Sequence, residues 1–453
     1  MYPLSQVGLL RDPQQRSLLW TSLCQSLSVA KQGQIDIALA KIIATNFQPF
    51  SIVEDRGFRN YSNSLNPIYT IPSRKTLSKS LIPQPYESTQ ASVRERVQKA
   101  TAVCLTTDCW TSRVTNSSYM SFTCHFIEDF SSCLLDCFEF SDRHTSENLA
   151  EELLRVAREW QVDGKVACCV SDNAANITKA MNIFKWTNHP CLTHTINLIV
   201  RDALKVMKPT VDKVKAAVEY FHRNTVGAEK LKSTQRRMGM PELRPKQDCT
   251  TRWNSTFYML KRFLESKDVI ISTLAIVNAP VDALTQEKWE VVVEVCRVLE
   301  PFEQVTVEIS GESNVTASNM ILLCKGLQRI TASRQREANV TTGHVTELMD
   351  PLCSSMDRKF HRMEYNHMLS ETAALDPRFK KLAFSDARAI DEALQRITSA
   401  SGRDSPSSQL AQAPGQQEEG GSNGAEAPAV VPLLFGCCFT REQLGMQHKR
   451  IPQ

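Results

Sequence analysis

The sequence predicts an α/β protein in which a sheet of short strands is followed by a large all-α region. Three observations predict this class. Apolar runs of strand length recur between residues 100 and 170, apolar residues at helical spacing dominate from Pro209 onward, and a short helical segment precedes the strands. We therefore expect a helical module over residues 31–99, a sheet-containing core over 100–250 and an all-α region over 251–398.

The segment before the sheet has the pattern of a small helical module, and residues 1–30 are so weakly patterned that we expect an irregular N-terminus there. Pro49 interrupts the first helix, because proline disfavours helical geometry in the residue before it. Ser73 is suited to cap a further helix. The apolar residues at helical spacing are Ile35, Leu39, Ile42 and Ile43, and the aromatic residues are Phe47, Phe50, Phe58 and Tyr61.

Three strands are predicted in the first part of the sheet. The run Ala102–Thr107 is mostly apolar and ends directly before Asp108. Two further strands follow over Tyr119–Ile127 and Cys133–Phe140, joined by a short polar turn.

A helix and a fourth strand complete the predicted sheet region. Thr145 or Ser146 can cap the helix, and the strand Lys165–Val170 is apolar on both faces and leads to Asp172. The predicted buried stripe of the helix consists of Leu149, Leu153, Ala157 and Trp160.

The all-α region is predicted from helical spacing. One helix runs from Val211 to about His222, and another starts near Thr256. A third carries Trp289, Val293, Cys296 and Leu299 on one face before Pro301. We interpret these stripes as core positions and not as ligand sites.

The composition changes after Thr398. Residues 401–429 are rich in Gly, Pro, Ser and Gln and hold too few large apolar side chains to form a core. We expect a disordered, divergent tail over residues 399–453. A short apolar stretch, Val430–Phe439, lies within this tail.

Bulk composition narrows the functional classes. The 453 residues are 42% hydrophobic and 23% charged, with a net charge of +4. From Lys208 to Arg262 there are 13 Lys or Arg against 5 Asp or Glu, so this stretch carries +8 and the rest of the chain −4. The basic excess is therefore local.

No run approaches the roughly 20 apolar residues of a membrane span, and no secretory signal pattern is present, so we expect no membrane partner. The 15 cysteines are scattered and lie partly inside apolar strands. This distribution indicates a reducing compartment, the cytosol or the nucleus, with most cysteines acting as small apolar residues.

Asp108 and Asp172 are candidate metal ligands. Carboxylates at the ends of two strands can hold divalent cations against a phosphodiester, because Mg²⁺ prefers oxygen ligands and a metal pair can stabilise both the attacking and the leaving oxygen. By spacing alone, each Asp is more often a turn or cap residue. The residues leave both interpretations open.

Five ordered motifs resemble those of hAT-superfamily transposases, and the closest resemblance is to the domesticated vertebrate branch that contains BED zinc fingers. The resemblance covers about residues 35–395, including a helical DNA-binding and dimer-associated segment over Phe47–Pro83. The five motifs are Thr106-Thr107-Asp108-Cys109-Trp110-Thr111-Ser112, Ser171-Asp172-Asn173-Ala174-Ala175-Asn176, Cys191-Leu192-Thr193-His194-Thr195-Ile196-Asn197-Leu198, Arg252-Trp253-Asn254-Ser255-Thr256 and Leu375-Asp376-Pro377-Arg378-Phe379-Lys380.

The resemblance implies an RNase H-like core interrupted by an all-α insertion. Asp108 and Asp172 would be the first two of three metal-binding carboxylates. The third, a glutamate, would follow the insertion beside a C-terminal dimerisation region, and we expect this chain to lack both. Glu442 is a carboxylate in the tail, but its surroundings do not match the family pattern. We also expect the zinc of the family's BED finger to be absent together with that finger.

Cys191 and His194 suggest a zinc site. A structural zinc site generally needs four ligands, and no second matching pair stands at finger spacing nearby. A packing or hydrogen-bonding role for this motif is therefore favoured.

Trp253 has two interpretations. Beside Arg252, it could stack on an unpaired or flipped base, as the matching tryptophan of the family is implicated in doing. Alternatively, it could be a core residue that anchors the helical region.

A dense set of basic residues surrounds a predicted loop at Gly239–Pro241. They could form a solvated helix face, but their density favours contacts with nucleic-acid phosphates, which are largely independent of sequence. These residues are Lys230, Lys232, Arg236, Arg237, Arg244 and Lys246.

The predicted function is that of a domesticated, nuclear, transposase-like DNA-binding protein in transcription or chromatin association, without strand-transfer activity. DNA is the expected partner, with a homodimer or a heterodimer with related proteins as a further expectation, and any Mg²⁺ or Mn²⁺ site would be vestigial. Two alternatives stay open. One is an active transposase whose partner chain supplies the glutamate, and the other is a pure protein-interaction derivative.

Overall fold

The computed structural model describes residues 27–112, 114–126, 131–249, 251–311, 316–341 and 343–403. The chain divides into two compact units, residues 1–99 and 100–453. Most of the expected irregular N-terminus and the expected disordered tail from residue 404 onward, with Glu442 and Val430–Phe439, lie outside the described residues.

The first unit is helical, as predicted. Ser28 caps helix α1, and the Ser73 hydroxyl accepts a hydrogen bond from the Thr76 amide, which confirms the predicted cap. A short π-helical segment follows α3, and one 3₁₀ turn separates α1 from α2. The helices are α1 (Val29–Thr45), α2 (Arg56–Leu65), the single turn α3 (Arg74–Thr76) and α4 (Pro83–Lys99).

A small apolar core holds this unit together. Leu39 and Ile43 of α1 pack with Val53 and Leu77, and all four side chains are buried. Ile42, predicted on the same face as Leu39 and Ile43, is instead half exposed. At 3.6 residues per turn, position 42 lies at the edge of the buried stripe.

The second unit begins with a mixed five-stranded sheet in the order β3-β2-β1-β4-β5. The central strand β1 is antiparallel to β2 and parallel to β4, while β2–β3 is antiparallel and β4–β5 is parallel. The strands are β1 (Val103–Thr111), β2 (Ser118–Phe126), β3 (Ser131–Glu139), β4 (Val166–Ser171) and β5 (Asn188–Pro190). This arrangement fits the predicted RNase H-like core.

Two helices accompany the sheet. Helix α5 (Ser146–Glu159) is capped by Thr145, whose hydroxyl accepts from the Asn148 amide at 3.3 Å. Helix α6 (Ala175–Ile183) follows Asp172 directly after the turn and packs against α5. The predicted apolar stripe of α5 is confirmed, since Leu149, Leu153, Ala157 and Trp160 are all buried.

Helices make up all further regular structure that the described residues contain after Pro190, and all of them except the last share one large apolar core with β1 and β4. They are α7 (Leu192–Leu204), α8 (Lys208–Arg223), α9 (Thr225–Arg237), α10 (Trp253–Glu265), α11 (Lys267–Val277), α12 (Gln286–Ile309), α13 (Met320–Thr341), α14 (Gly343–Lys359), α15 (His367–Leu375) and α16 (Ala387–Arg403), with short 3₁₀ turns between some of them.

Helix α12 differs from the prediction in two ways. It continues through Pro301, and Val293, predicted in the buried stripe, is exposed while Val292 is buried. Proline has no amide to donate to the carbonyl four residues earlier. That carbonyl belongs to Arg297, and the Arg334 guanidinium of α13 donates a hydrogen bond to it. The carbonyl oxygen is therefore satisfied although Pro301 cannot donate to it.

Two general features agree with the composition. The cysteines in the described part of the chain form no disulfide, and seven of them are buried. Within the same part, every helix is too short or too polar to cross a membrane.

Candidate metal and nucleic-acid site

Asp108 and Asp172 come together at one edge of the sheet. In the parallel pair β1–β4, Thr106 lies opposite Val170. Asp108 stands two residues beyond Thr106, and Asp172 stands two residues beyond Val170. The register therefore places both residues at the same level of the sheet. Asp172 directly follows β4, whereas Asp108 lies inside β1, which continues to Thr111 beyond the predicted end of the strand.

The charges of the two residues interact. The pKa of Asp108 is raised to about 6, first because burial penalises the charged form and second because the negative charge of Asp172 lies nearby. A hydrogen bond from the Cys109 amide and the positive charge of Arg252 act in the opposite direction. The neighbouring Cys109 thiol is affected in the same way. Burial first, and then the charges of Asp108 and Asp172, raise its pKa to about 12.

Asp172 also has the local role that its spacing indicated. One of its carboxylate oxygens accepts a hydrogen bond from the Ala174 amide at 3.1 Å, which shapes the turn before α6. The next residue, Asn173, donates from its side-chain amide to the Thr195 hydroxyl at 2.9 Å. The turn is therefore tied to α7, and the turn interpretation and the site interpretation of Asp172 are compatible.

The motif that contains Cys191 and His194 forms the start of α7. Cys191 is buried, and its amide donates to the Ser171 carbonyl at 2.8 Å, so it extends the contact with β4. The pKa of His194 is lowered, mainly by burial and also by the charges of Lys359 and Arg201, although Asp172 opposes this shift. Among the described residues, no group of three or more His, Cys, Asp or Glu side chains could hold a metal ion.

Helix α7 also holds the segment that contains Arg252 and Trp253. The Asn197 side-chain oxygen accepts from the Trp253 amide at 3.0 Å, and its nitrogen donates to the Thr251 carbonyl at 3.4 Å. Sequence reasoning gave Asn197 no role, although it lies three residues after His194 and therefore on the same helix face.

Arg252 and Trp253 lie in opposite environments. Arg252 is exposed, and its positive charge acts to lower the pKa of Asp108. Trp253 is only 1% exposed and packs beside Phe257, with the ring centres 6.2 Å apart. The suggested base-stacking role does not fit this placement, because the indole faces the apolar core; the alternative interpretation, a core anchor, does.

Asp248 is a buried polar centre that the sequence analysis missed. It lies 2.7 Å from the Lys215 ammonium and accepts from the hydroxyls of Ser255 at 2.6 Å and Thr256 at 2.9 Å. Burial alone would raise the pKa of Asp248, but these three hydrogen bonds outweigh burial and lower it. An aspartate seven and eight residues before a Ser-Thr pair is too weak a pattern to have been recognised.

The basic stretch occupies α9 and the segment that follows it. Lys232 pairs with Glu229 at 3.1 Å, Arg236 pairs with Glu242 at 2.6 Å, and the Lys246 ammonium lies 4.8 Å from the centre of the Tyr258 ring. Lys230 is half-buried, whereas Arg237 and Arg244 are exposed, and in the part of the chain that the structure describes these three form no ion pair. Two of the six basic residues, Lys232 and Arg236, are thus neutralised locally by carboxylates.

Family models match both parts of the second unit. The ZBED1 RNase-like domain matches residues 106–193, which hold the sheet, and the ZBED1 RNase-like helical domain matches residues 189–298. The boundary between the two models coincides with the change from β5 to α7.

Several curated proteins are similar to the chain. Human zinc finger BED domain-containing protein 4 is 27% identical over 379 residues, which are 80% of this chain and 32% of that protein. The putative AC transposase of Zea mays is 26% identical, covering 74% of this chain and 43% of that protein. The putative transcriptional regulator tpeD of Talaromyces stipitatus is also 26% identical, covering 63% and 39%. The chain thus spans less than half the length of these relatives.

Among solved structures, the Drosophila P element transposase strand transfer complex is similar over 88% of this chain and 92% of that chain, with 10% identity and a TM-score of 0.29. That score is too low to support an argument about the fold.

Asp108 should make stability depend on pH. In the folded protein the pKa of Asp108 is about 6, above the ordinary value of 3.8. Ionised Asp108 therefore lowers the free energy of unfolding above pH 6, and this destabilisation disappears as the pH falls through 6 and the carboxylate is protonated. We expect Asp108→Asn to stabilise the protein at pH 7 by about 1–3 kcal/mol, and the gain to shrink by pH 5. Urea unfolding at pH 5, 6 and 7 measures this. Asp163→Asn, at an exposed position, is the control; parallel pH profiles for wild type and Asp108→Asn would contradict the prediction.

Asp248 should be essential for the stability of the segment that carries Arg252. Asp248→Ala leaves the Lys215 charge and two hydroxyls without their acceptor, and removal of one partner of a buried pair typically costs about 3–5 kcal/mol. Asp212→Ala is the matched control, because its pair with Lys208 is exposed and should contribute under about 1 kcal/mol. Both are measured by urea unfolding; equal losses in the two variants would show that Asp248 has no special role.

Proposed function

Because the chain is a hAT-transposase-derived protein of the BED-zinc-finger type, we propose that it is a nuclear DNA-binding protein that acts in transcription or chromatin association. The observation that carries the proposal is the juxtaposition of Asp108, Asp172 and Arg252 at the sheet edge. Two relatives support it by their printed names, a putative transposase and a putative transcriptional regulator. Domestication of a former transposase would account for a similarity both to a transposase and to a transcriptional regulator.

The site chemistry favours a phosphodiester ligand. Two carboxylates suit a divalent cation, and a cation held there attracts phosphate oxygens. The exposed guanidinium of Arg252 can bind the same phosphate, because its planar set of donors matches phosphate oxygens. The exposed residues Arg237 and Arg244 add sequence-independent attraction for the backbone.

The residues fit one Mg²⁺ or Mn²⁺ ion. Asp108 and Asp172 would hold it with water in the other positions, and its charge would offset both the burial and the repulsion by Asp172 that raise the pKa of Asp108. Such an ion supplies Lewis-acid stabilisation of phosphate oxygens. The described residues contribute two carboxylates to the site and no third acidic ligand, so we propose that this chain alone binds DNA without cutting it.

DNA binding should depend on the basic stretch. Changing Arg237 and Arg244 together to Ala removes two exposed cations that form no ion pair with any described residue. The slope of log affinity for duplex DNA against log salt should therefore become shallower by about 2. Fluorescence anisotropy with a labelled duplex between 50 and 200 mM salt measures this. The control changes Lys381 and Arg388, two exposed cations elsewhere, to Ala. Absence of binding by the wild type would refute the proposed function and favour a pure interaction protein. Equal slopes in the two double variants would show that the basic stretch does not contact DNA.

Strand cleavage should be absent. Supercoiled and linear duplex DNA incubated with the wild type and Mg²⁺ or Mn²⁺ should show no more nicks on a gel than protein-free DNA. Asp108→Ala tests the site, and Asp163→Ala, at an exposed carboxylate, is the control. Nicking by the wild type and Asp163→Ala that disappears in Asp108→Ala would establish an active nuclease site and overturn this part of the proposal.

A further inference from the structure

Helix α7 starts beside the carboxylates, and one of its faces carries polar and basic side chains along its length. His194, Asn197 and Arg201 are spaced by three and four residues, which places them in one row on the helix surface. His194 lies at the end of α7 near Asp172, and Arg201 is two turns further along. The rise of 1.5 Å per residue makes that separation about 10 Å.

A second helix adds a cation beside this row. Helix α14 packs along α7 and ends at Lys359. The start of α7 contacts the turn after Asp172 through Thr195, and the charges of Lys359, Arg201 and Asp172 all act on His194. Lys359 and Arg201 therefore belong to the same local surface as the site.

These two cations are available to a ligand. Arg201 and Lys359 are exposed, and within the described ranges neither forms an ion pair with a carboxylate. By contrast, Lys205, the next basic residue of the same helix segment, is paired with Asp202 at 2.8 Å. An exposed cation without a carboxylate partner retains its full attraction for an external anion.

The same helix face also fixes the position of Arg252. Asn197, between His194 and Arg201, holds the backbone on both sides of Arg252 through Thr251 and Trp253. Asn197 thus links the row on α7 to the Arg252 segment beside the carboxylates.

We propose that Arg201 and Lys359 form a phosphate-binding strip that guides a nucleic-acid strand along α7 to Asp108 and Asp172. The proposal rests on the DNA-binding function proposed above. The distance of about 10 Å between His194 and Arg201 exceeds the spacing of neighbouring phosphates in one strand. Arg201 and Lys359 would therefore bind phosphates beyond the one at the carboxylates.

A nucleic acid fits this strip better than an acidic peptide. The row of cations ends at two carboxylates, which repel any acidic side chain that continues past the strip. A phosphodiester can continue there, because a divalent cation can bridge its oxygens to Asp108 and Asp172. The strip and the carboxylates together match a ligand that carries repeated phosphates.

The first test is a double variant with a matched control. Changing Arg201 and Lys359 to Ala should weaken duplex binding about tenfold at 150 mM salt and lower the salt slope by about 2, as expected for two lost phosphate contacts. The control again changes the exposed Lys381 and Arg388. Circular dichroism establishes that both variants are folded. A labelled single strand and a poly-glutamate peptide of equal charge are tested in parallel.

The second test requires no mutation. Acetylation of surface lysines by a small reagent, read by mass spectrometry, should slow at Lys359 when duplex DNA is bound and stay unchanged at the exposed Lys381. This measurement reports on the strip even if the double variant is destabilised.

The outcomes separate the two proposals. A wild type that binds no DNA refutes both. If changing Arg237 and Arg244 weakens binding while changing Arg201 and Lys359 matches the control, and Lys359 stays reactive in the complex, the strip is refuted and DNA binding stands. Equal loss of affinity for poly-glutamate would identify an anion surface without preference for nucleic acid and would also overturn the strip.

Discussion

Two carboxylates of like charge, Asp108 and Asp172, are held at one level by the parallel pairing of β1 and β4, and the surrounding structure has to tolerate that arrangement. Burial, and after it the negative charge of Asp172, oppose ionisation of Asp108 and raise its pKa. A hydrogen bond from the Cys109 amide and the charge of Arg252 favour ionisation but do not outweigh them. The strand hydrogen bonds and the apolar core, and not the site itself, therefore keep the two groups together. A site that is unfavourable without a counter-charge is typical of positions kept for binding.

Helix α7 joins parts of the sequence that are far apart. Through Thr195 it contacts the turn after Asp172, and through Asn197 it contacts the segment around Arg252, more than fifty residues later. Asp248 fixes the other side of that segment by binding Ser255 and Thr256. Three of the five sequence motifs, those that contain Asp172, His194 and Arg252, are thus linked by hydrogen bonds, and the motif with Cys191 and His194 contributes the connecting helix.

Local patterns were sufficient to predict the presence of the strands that carry Asp108 and lead to Asp172, the cap and stripe of α5 and the family, because each depends on neighbouring residues or on an ordered set of motifs. The end of β1 was not predicted, because the strand continues past Asp108 to Thr111 by pairing with β2. Long-range partners could not be predicted. The carbonyl of Arg297 finds its donor in Arg334, which allows α12 to pass Pro301, and no local pattern indicates that contact. Strand β5 is three residues long and lacks an apolar run, so only its pairing with β4 identifies it. The pairing of Lys215 with Asp248 is another contact between distant positions.

The adjacent residues Arg252 and Trp253 have a joint consequence. Because the indole is fixed in the core and Asn197 holds the backbone at the same point, the base of the Arg252 side chain has almost no freedom to move. The backbone at Arg252 is already ordered in the folded protein. Its ordering therefore does not reduce the free energy of binding an anion. Arg252 is in this sense preorganised. Bringing Trp253 to the surface would require the first turn of α10 to unwind, and the same event would release the arginine.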